Sequence, residues 1–226
     1  MEDCTEGYQY YVAQFGTFLI HPTLAPAPIT TVCWMEYDKR TYLQSRHYVS
    51  GISFNRNWTS YRDRFGDIYK SIDIDFWWGI DNAYYLTNSK SYNLVVQVAG
   101  QDYTDVGNIV YKNFVVQKES NKFAMSYSSV YIVPLDQIIT LSMNGSMTLS
   151  NGAPFSTYDQ DNDQSIGNCA AVHSAGWWFN DCTNCNPNSR LWPGGNSSRL
   201  GVDDEFFWND GLYGWSAWAT ALWFTR

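Results

Sequence analysis

Apolar residues recur at helical spacing in two segments of the first 90 residues. In the first segment the apolar stripe consists of Phe54, Trp58, Tyr61 and Phe65. This spacing predicts a helix with Ser53 as its N-cap and Gly66 just past its end. In the second segment the inward positions are Phe76, Ile80, Ala83 and Tyr84. They predict a shorter helix with Asp75 near its start, where a negative charge interacts favourably with the helix dipole.

Between residues 91 and 149 the pattern changes to alternation and to short runs of β-branched and aromatic residues. The segments that show it are YNLVVQVAG, GNIVYKNFVVQ, KFAMSYSSVYIV and IITLSM. Such segments are typical of an antiparallel sheet. After residue 150, small polar residues, glycine and proline dominate until SAWATALWFTR, which predicts a last strand that returns to the sheet.

The irregular region of about 70 residues is unusually long for a compact domain, unless the region binds something or is held by something other than strand pairing. Within it, Asp159, Asp161 and Asp163 stand at alternate positions. Their like charges repel, and a calcium ion, which takes six to eight oxygen ligands, would hold them together.

This aspartate pattern does not follow the EF-hand loop, because Gln164 and Ala170 replace the glycine and the glutamate that such a loop requires. A solvated turn rich in aspartate and asparagine is the alternative interpretation. The loop leads directly into Cys169 and the apolar GWWF, and this context favours the metal.

Composition and charge narrow the class of protein. With 226 residues, of which 45% are hydrophobic and 18% aromatic, the chain is predicted to form one domain with a substantial core. The formal net charge is −8 and no cluster of Lys or Arg occurs, which argues against binding to nucleic acid. No apolar run approaches the roughly 18 residues needed for a membrane span. The N-terminal segment does not resemble a signal peptide, so a secreted protein would have to lack its signal here or be a fragment of a longer chain.

The five cysteines are Cys4, Cys33, Cys169, Cys182 and Cys185. Proximity in sequence favours one bridge between Cys4 and Cys33 and another between Cys169 and Cys182. Spacing alone, however, fixes no pairing. Zinc binding through Cys182 and Cys185 is a rival interpretation that lacks a second ligand pair. Three glycosylation sequons begin at Asn57, Asn144 and Asn196, and they are compatible with an oxidising secretory route.

The order of these features resembles the fibrinogen-related domain, the C-terminal globular unit of fibrinogen chains, ficolins, tachylectins, tenascins and angiopoietins. The strongest matches are FSTYDQDNDQSIGNCA and GWWFNDC; weaker ones are GTFLIHP, VCWMEYD, FNRNWTSYRDRFGD and DFWWGIDNAYYLT. The resemblance runs from Cys4 to the C-terminus. It implies an α+β fold, with a central antiparallel sheet, short helices and a large loop-rich C-terminal calcium-binding subdomain. The implied subdomains of the single domain 1–226 are an N-terminal disulfide subdomain (1–36), a central sheet subdomain (37–145) and a calcium- and ligand-binding subdomain (146–226).

The resemblance also implies a calcium site. Its ligands would be the side chains of Asp161 and Asp163, the backbone carbonyls of Ser165 and Gly167, and water molecules. Asp159 would be a neighbour of this site. The family's disulfide bridges map to Cys4 with Cys33 and to Cys169 with Cys182, whereas Cys185 has no counterpart in the family and is either free or joined to another chain.

In the resembling family a ligand pocket lies beside the calcium ion, next to a cis peptide bond that would here join Asp181 to Cys182. The ligand-binding candidates carried over by position are His173, Asp181, Cys182, Thr183, Val202 and Asp203. The chain departs from the family at several of these positions: Thr183 stands where the lectins commonly have histidine, and Val202 stands where an aromatic residue is usual. The aromatic residues of GWWF are predicted to be core beneath this pocket.

Two functions follow from the resemblance. The first is a secreted, calcium-dependent recognition module of innate immunity that binds carbohydrate or acetylated surface groups as a lectin does. The alternative is an extracellular protein-interaction domain of a matrix, receptor-ligand or fibrinogen-like protein. In either case oligomerisation through regions outside this chain is expected. No enzyme is expected, because the three histidines, His21, His47 and His173, are scattered and no catalytic motif is visible.

Overall fold

The computed structural model describes residues 1–7, 15–36, 39–69, 75–99, 106–134, 146–191, 204–208 and 217–226. The helices within them are α1 (Cys4–Gly7), α2 (Trp58–Asp63), α3 (Ile80–Ser89) and α4 (Cys169–Val172). The first seven strands are β1 (Phe15–Ile20), β2 (Ile29–Trp34), β3 (Arg40–His47), β4 (Phe65–Gly66), β5 (Phe76–Trp77), β6 (Asn93–Ala99) and β7 (Val106–Lys112). The others are β8 (Val115–Val116), β9 (Met125–Ser126), β10 (Ser129–Pro134), β11 (Cys185–Asn186), β12 (Phe207–Trp208) and β13 (Ala219–Thr225). No described helix is long and apolar enough to span a membrane.

A nine-stranded antiparallel sheet organises the described residues. Its main path runs β1-β2-β3-β13-β6-β7-β10, and β4 and β5 join it through β3. The predicted last strand therefore does return to the sheet, and it lies at the centre, between β3 and β6. Most of its residues are buried, as expected of a strand with neighbours on both sides and cover on both faces. The α+β fold predicted from the sequence is confirmed.

The first predicted helix exists but is shorter than expected. It begins at Trp58, and its N-cap is Asn57, whose side chain accepts a hydrogen bond from the Ser60 N–H, so the prediction of Ser53 as N-cap is wrong. Phe65 and Gly66 leave the helix and pair with β5 instead. The apolar stripe correctly indicated that Phe54, Trp58 and Tyr61 are buried, and Phe65 is half-buried. The stripe could not distinguish one helix from a helix followed by a strand.

The second predicted helix begins at Ile80, and the predicted positions of Phe76 and Asp75 in or near it are wrong. Phe76 belongs to β5, and the Asp75 carboxylate accepts a hydrogen bond of 2.6 Å from the His47 N–H. The chain changes direction at Gly79, whose φ of +104° lies in the region that favours glycine. This residue separates the strand from α3.

Large aromatic side chains connect the sheet to the C-terminal loops. Trp177, Trp178 and Phe179 are fully buried, as predicted. Trp178 lies 6.4 Å from Trp77 of β5, between ring centroids, and 5.2 Å from Phe155. The irregular region thus packs on the core of the same domain. The division into three subdomains remains a prediction, and the predicted strand IITLSM lies outside the described residues.

Candidate functional site

The aspartate loop leaves the core at Phe155 and is fixed by backbone pairing at its start. Ser156 and Trp177 exchange two backbone hydrogen bonds, of 2.9 and 3.2 Å. Thr157 and Gln160 form a second reciprocal pair, which closes a tight turn. The three aspartates follow from this turn in a fixed orientation.

Asp159 anchors the loop to the neighbouring helix. Its Oδ1 accepts a hydrogen bond of 2.9 Å from the backbone N–H of Trp58, the first residue of α2, and another of 2.8 Å from the Thr157 hydroxyl. A carboxylate at a helix N-terminus satisfies a donor that has no partner within the helix. Asp159 therefore has a structural contact of its own, beside the positions of the implied metal ligands.

Asp161 and Asp163 lie side by side. The Asp163 N–H donates to Asp161 Oδ1 at 3.2 Å, while Asp163 Oδ1 and Oδ2 accept from the backbone N–H groups of Ser165 and Cys169, each at 3.0 Å. Burial raises the pKa of Asp163, and the neighbouring Asp161 carboxylate raises it further. The hydrogen bonds from the Cys169 and Ser165 N–H groups lower this pKa, but the net shift is upward. The loop therefore holds two carboxylates closer together than water alone would favour.

The chemistry of this loop fits a hard cation such as calcium. Each Asp163 oxygen accepts one hydrogen bond and keeps a second lone pair, and a cation would relieve the repulsion between the two carboxylates. Within the described ranges, no group of three or more His, Cys, Asp or Glu side chains is arranged to hold a metal. A calcium ion here would therefore depend on the carbonyls of Ser165 and Gly167 and on water for the rest of its ligands.

The two predicted disulfide bridges are confirmed. Cys4 is joined to Cys33, and Cys169 to Cys182, with Cα atoms 5.5 and 5.3 Å apart. The zinc interpretation is excluded, since the sulfur of Cys182 is in a bridge. Cys185 takes part in neither bridge and is fully buried in β11.

The turn before Cys182 differs from the expectation taken from the resemblance. The peptide bond between Asp181 and Cys182 is trans, so the prediction of a cis bond is wrong. The chain turns instead at Cys182 itself, whose φ is +33°. Hydrogen bonds hold this conformation: the Cys182 N–H donates to Cys169 Sγ at 3.1 Å, and the Asn180 N–H donates to the Cys182 carbonyl at 2.9 Å.

The candidate ligand-binding residues do not all face the same way. His173 is half-buried between aromatic rings, with its centroid 5.6 Å from Phe179 and 5.2 Å from Phe207. Thr183 is buried, and its hydroxyl donates to the Cys185 carbonyl at 3.1 Å and lies 3.3 Å from the Ser150 hydroxyl. Asp181 is exposed. Thr183 thus stabilises the loop from within, while Asp181 and His173 contribute to its outer surface.

Four predicted site residues belong to segments that the structure does not describe. Val202 and Asp203 of the ligand-binding candidates, and the sequon residues Asn144 and Asn196, lie outside the described residues. Asn57 is exposed at the start of α2.

Sequence reasoning missed two buried polar residues beneath the site. The Gln44 amide donates to Asn188 Oδ1 at 3.1 Å and to the Pro187 carbonyl at 3.3 Å. The Arg46 guanidinium donates to the Ser189 carbonyl and lies 4.1 Å above the Phe54 ring, and burial lowers its pKa to about 10. The available signal was their spacing, because two polar residues at alternate positions share a face if the segment forms a strand, and no strand was predicted there. They attach the 187–189 loop to β3.

Comparisons with known proteins agree with this geometry. The family described as "Fibrinogen beta and gamma chains, C-terminal globular domain" matches residues 1–225. The fibrinogen beta chain of Bos taurus is 30% identical over 225 residues, covering 88% of this chain and 47% of that protein. Angiopoietin-related protein 1 of Homo sapiens is 30% identical over 188 residues, covering 79% of this chain and 34% of that protein. The chain thus spans about half or less of the length of these relatives.

Solved structures show the same fold over the whole chain. Lamprey fibrin D-dimer complexed with the peptide ligand Gly-His-Arg-Pro-amide superposes with a TM-score of 0.86 at 25% identity, covering 100% of this chain and 73% of that chain. The fibrinogen-like globe domain of human ANGPTL2 gives the same TM-score and identity, and 98% of that chain is covered. The sheet with its central last strand, the two bridges and the family match together establish that this chain belongs to the family of fibrinogen C-terminal globular domains.

Proposed function

We propose that this domain is an extracellular recognition module that binds a short segment of another protein beside the loop of residues 161–167. The observation that carries the proposal is the likeness, over the whole chain, to lamprey fibrin D-dimer, which was solved with a bound tetrapeptide. Membership of the family that fibrinogen and angiopoietin-related chains share favours the extracellular protein-interaction alternative. The relatives and the family description name no reaction, and the proposed role is not enzymatic.

Charge favours a basic partner. The protein has a formal net charge of −8, and the Asp161 and Asp181 side chains are exposed. The Gln164 N–H donates to the Asn180 carbonyl at 2.7 Å, which brings the loops that carry these two carboxylates together. Complementary charge accelerates association and selects among partners.

Calcium would bind through Asp161, Asp163 and the carbonyls of Ser165 and Gly167. When bound, the ion would offset the charges of Asp161 and Asp163, and the acidic contact offered to a basic partner would then come from the exposed Asp181. This part of the proposal is supported by the adjacent Asp161 and Asp163 carboxylates, whose mutual repulsion a cation would relieve. The chain's own N–H groups at Ser165 and Cys169 already orient Asp163 for this role.

The carbohydrate- or acetyl-binding function predicted from the sequence has less support. The relatives reported above are fibrinogen and angiopoietin-related proteins. In addition, Thr183, which stands where the lectins commonly have histidine, uses its hydroxyl for internal hydrogen bonds. A lectin function is therefore kept as the alternative outcome of the experiment below.

An extracellular location is part of the proposal. Two disulfide bridges are typical of proteins that fold in an oxidising compartment. Because the chain spans only part of its relatives' length, any multivalency is proposed to come from regions outside the domain.

Calorimetric titration tests the proposed function. We expect Gly-His-Arg-Pro-amide to bind in the presence of calcium, and an Asp163→Asn variant or a chelator to weaken the binding at least tenfold. Asp67→Asn, which removes an acid from the loop after β4, should bind the peptide like the unaltered protein. Binding of N-acetylglucosamine without any binding of the peptide would favour the lectin, and binding of neither would overturn the proposed recognition of a basic peptide.

A further inference from the structure

A turn of residues 149–152, here called the Asn-Gly turn, precedes the aspartate loop and carries Asn151 and Gly152. Both residues are exposed. Gly152 has a φ of +87°, and a Cβ added to it would meet nothing within 4 Å. Because glycine has no side chain, its backbone nitrogen can approach the side-chain carbonyl carbon of the preceding asparagine more closely than the nitrogen of a larger residue can.

Hydrogen bonds hold both groups of this dipeptide. The Gly152 N–H donates to the Met125 carbonyl at 2.8 Å. The Asn151 side chain binds both backbone groups of Tyr127: its Oδ1 accepts from the N–H at 3.2 Å, and its Nδ2 donates to the carbonyl at 3.3 Å. The glycine nitrogen is thus engaged with one residue of β9 and the asparagine amide with the residue after β9, so neither group is free to react with the other.

We propose that Asn151 is a deamidation site and that local opening of the Asn-Gly turn controls the reaction. Once the hydrogen bonds break, the Gly152 nitrogen attacks Cγ of Asn151. The new N–Cγ bond closes a succinimide ring, the Cγ–Nδ2 bond breaks, and Nδ2 leaves as ammonia with the proton of the glycine nitrogen. Water then opens the ring at either carbonyl carbon and yields aspartate or isoaspartate. The reaction needs water alone, and asparagine is among the residues that heat and time modify.

The surroundings of the turn favour local opening. The strands β8 and β9 form a sheet of two strands with two residues each, and Met125 of β9 receives the Gly152 hydrogen bond. Segments with short pairing and exposed backbone open at a smaller free-energy cost than the whole domain. When opening and closing are fast, the rate of a reaction in the open state is proportional to the population of that state. Asn151 should therefore react slowly, but measurably, in the folded protein.

Deamidation would change the contacts of the turn. An aspartate at residue 151 has no Nδ2 to donate to the Tyr127 carbonyl. Isoaspartate adds a methylene group to the main chain and moves the Gly152 N–H away from its acceptor. The adjacent Ser150 is fully buried, with its hydroxyl 3.3 Å from that of Thr183. The modified turn would thus disturb the loop that follows Cys182. This inference does not depend on the proposed peptide function.

Peptide mapping by mass spectrometry measures the reaction at each asparagine. The protein is produced in the bacterial periplasm, without N-glycans, and is incubated at pH 8 both folded and in concentrated urea. A second Asn-Gly pair, Asn144–Gly145, lies outside the described residues; in urea it should react at the rate of Asn151 and serves as the internal reference. We expect Asn151 to react at least about tenfold more slowly in the folded protein than in urea, because the open state is a minor population.

The substitution Tyr127→Ala loosens the turn without changing the Asn-Gly sequence. The Tyr127 ring packs on Tyr111, with centroids 4.9 Å apart, and its loss should free the backbone that holds Asn151. We expect Asn151 to react at least about fivefold faster in the folded variant and at an unchanged rate in urea. Tyr48→Ala is the matched control: it removes a similar ring contact, 5.1 Å from Trp218, and should leave the rate at Asn151 unchanged.

Hydrogen exchange of the Gly152 amide measures the opening directly. If one opening exposes both groups, folding should slow this exchange and the reaction at Asn151 by the same factor relative to urea. The proposal is overturned if these factors differ, if Asn151 reacts as fast in the folded protein as in urea, or if Tyr48→Ala accelerates the reaction as much as Tyr127→Ala does. The comparison of the two factors uses the unaltered protein, so it decides the matter if Tyr127→Ala does not fold.

Discussion

Asp3 is fully buried and pairs with Arg226, which follows the central strand β13. The Arg226 Nε lies 3.0 Å from Asp3 Oδ2, and the Tyr92 hydroxyl donates to the same oxygen at 2.5 Å. Burial raises the pKa of Tyr92, and the hydrogen bond to Asp3 raises it further. This contact connects α1, which also carries the Cys4 bridge, to the end of the last strand.

Loss of the Arg226 cation should destabilise the protein. In an Arg226→Gln variant, a buried carboxylate loses its counter-charge, and because Arg226 is partly exposed we expect a decrease of about 2 kcal/mol in the free energy of unfolding. Urea denaturation measures this decrease. Arg64→Gln, at an exposed arginine, should change it by less than about 0.5 kcal/mol. Equal effects of the two substitutions would contradict the importance of the buried pair.

Gly79 and Gly51 allow backbone strain to be separated from a steric clash. Both have positive φ, +104° and +70°. A Cβ at residue 79 would lie 2.2 Å from the Asp63 carbonyl oxygen, whereas a Cβ at residue 51 would meet nothing within 4 Å. We expect Gly51→Ala to lower the free energy of unfolding by about 1 kcal/mol and Gly79→Ala by more than about 3 kcal/mol. Chemical denaturation measures the free energy of unfolding of both variants. Similar decreases in Gly51→Ala and Gly79→Ala would show that the backbone moves to relieve the clash at residue 79.

Asn57 is expected to serve both as a helix cap and as a glycosylation site. Its Oδ1 accepts a hydrogen bond of 3.0 Å from the Ser60 N–H, and this bond remains compatible with a glycan on Nδ2. In protein from a eukaryotic secretory host, we expect Thr59→Ala to remove the glycan and keep the cap, and Asn57→Ala to remove both. Mass spectrometry reports the glycan. After enzymatic removal of any glycans at the other sequons, Asn57→Ala should be about 1 kcal/mol less stable than Thr59→Ala, in which the Asn57 side chain still caps the helix. A glycan on the Thr59→Ala protein would contradict the assignment.

Chelation should lower the melting temperature if calcium binds at Asp161 and Asp163. For a dissociation constant of about 0.1 mM and about 1 mM calcium, linkage gives on the order of 1.4 kcal/mol. Scanning calorimetry with calcium and with EDTA measures the shift. Asp163→Asn should abolish this calcium-dependent shift, and Asp67→Asn should retain it. If calcium raises the melting temperature of Asp163→Asn and Asp67→Asn equally, the ion does not bind at Asp163.

Acid should weaken the contacts around α1. The hydrogen bond from Lys90 lowers the pKa of Glu2. The pKa of Glu6 is lowered mainly by the hydrogen bond that its carboxylate accepts from the Glu2 N–H, and further by the hydrogen bond from Lys90. A carboxyl group whose pKa is lowered in the folded state stabilises the folded protein at pH values above its unfolded pKa of about 4.3. That stabilisation is lost as the pH falls from this value through the lower pKa of the folded state.

The substitution Lys90→Met tests this pH dependence. Because the groups are partly exposed, we expect a loss of about 0.5 kcal/mol at pH 7 and a smaller loss at pH 3. Lys118→Met, at an exposed lysine, should show no such pH dependence. The midpoints of urea denaturation at the two pH values measure these losses. If Lys90→Met lowers the free energy of unfolding equally at pH 7 and pH 3, the role of the glutamates is contradicted.

Features that depend on residues close together in the chain could be predicted from the amino-acid sequence. The aspartate loop from residue 155 to 170 is a contiguous pattern, and it indicated both the family and the residues suited to a cation. Cys169 and Cys182 are only 13 positions apart in the sequence, and this proximity, together with the family resemblance, indicated their bridge. The apolar stripes correctly indicated α2 and α3, because helix periodicity is a local property.

Features that depend on pairing between distant segments became visible in the folded chain. The position of β13 between β3 and β6 joins residues 219–225 to residues 93–99, and no local pattern specifies which strands become neighbours. The same holds for Gln44 and Arg46, whose burial follows from the 187–189 loop that covers them. Strand register is fixed by the free energy of the whole packed sheet, and a single segment of sequence does not contain it.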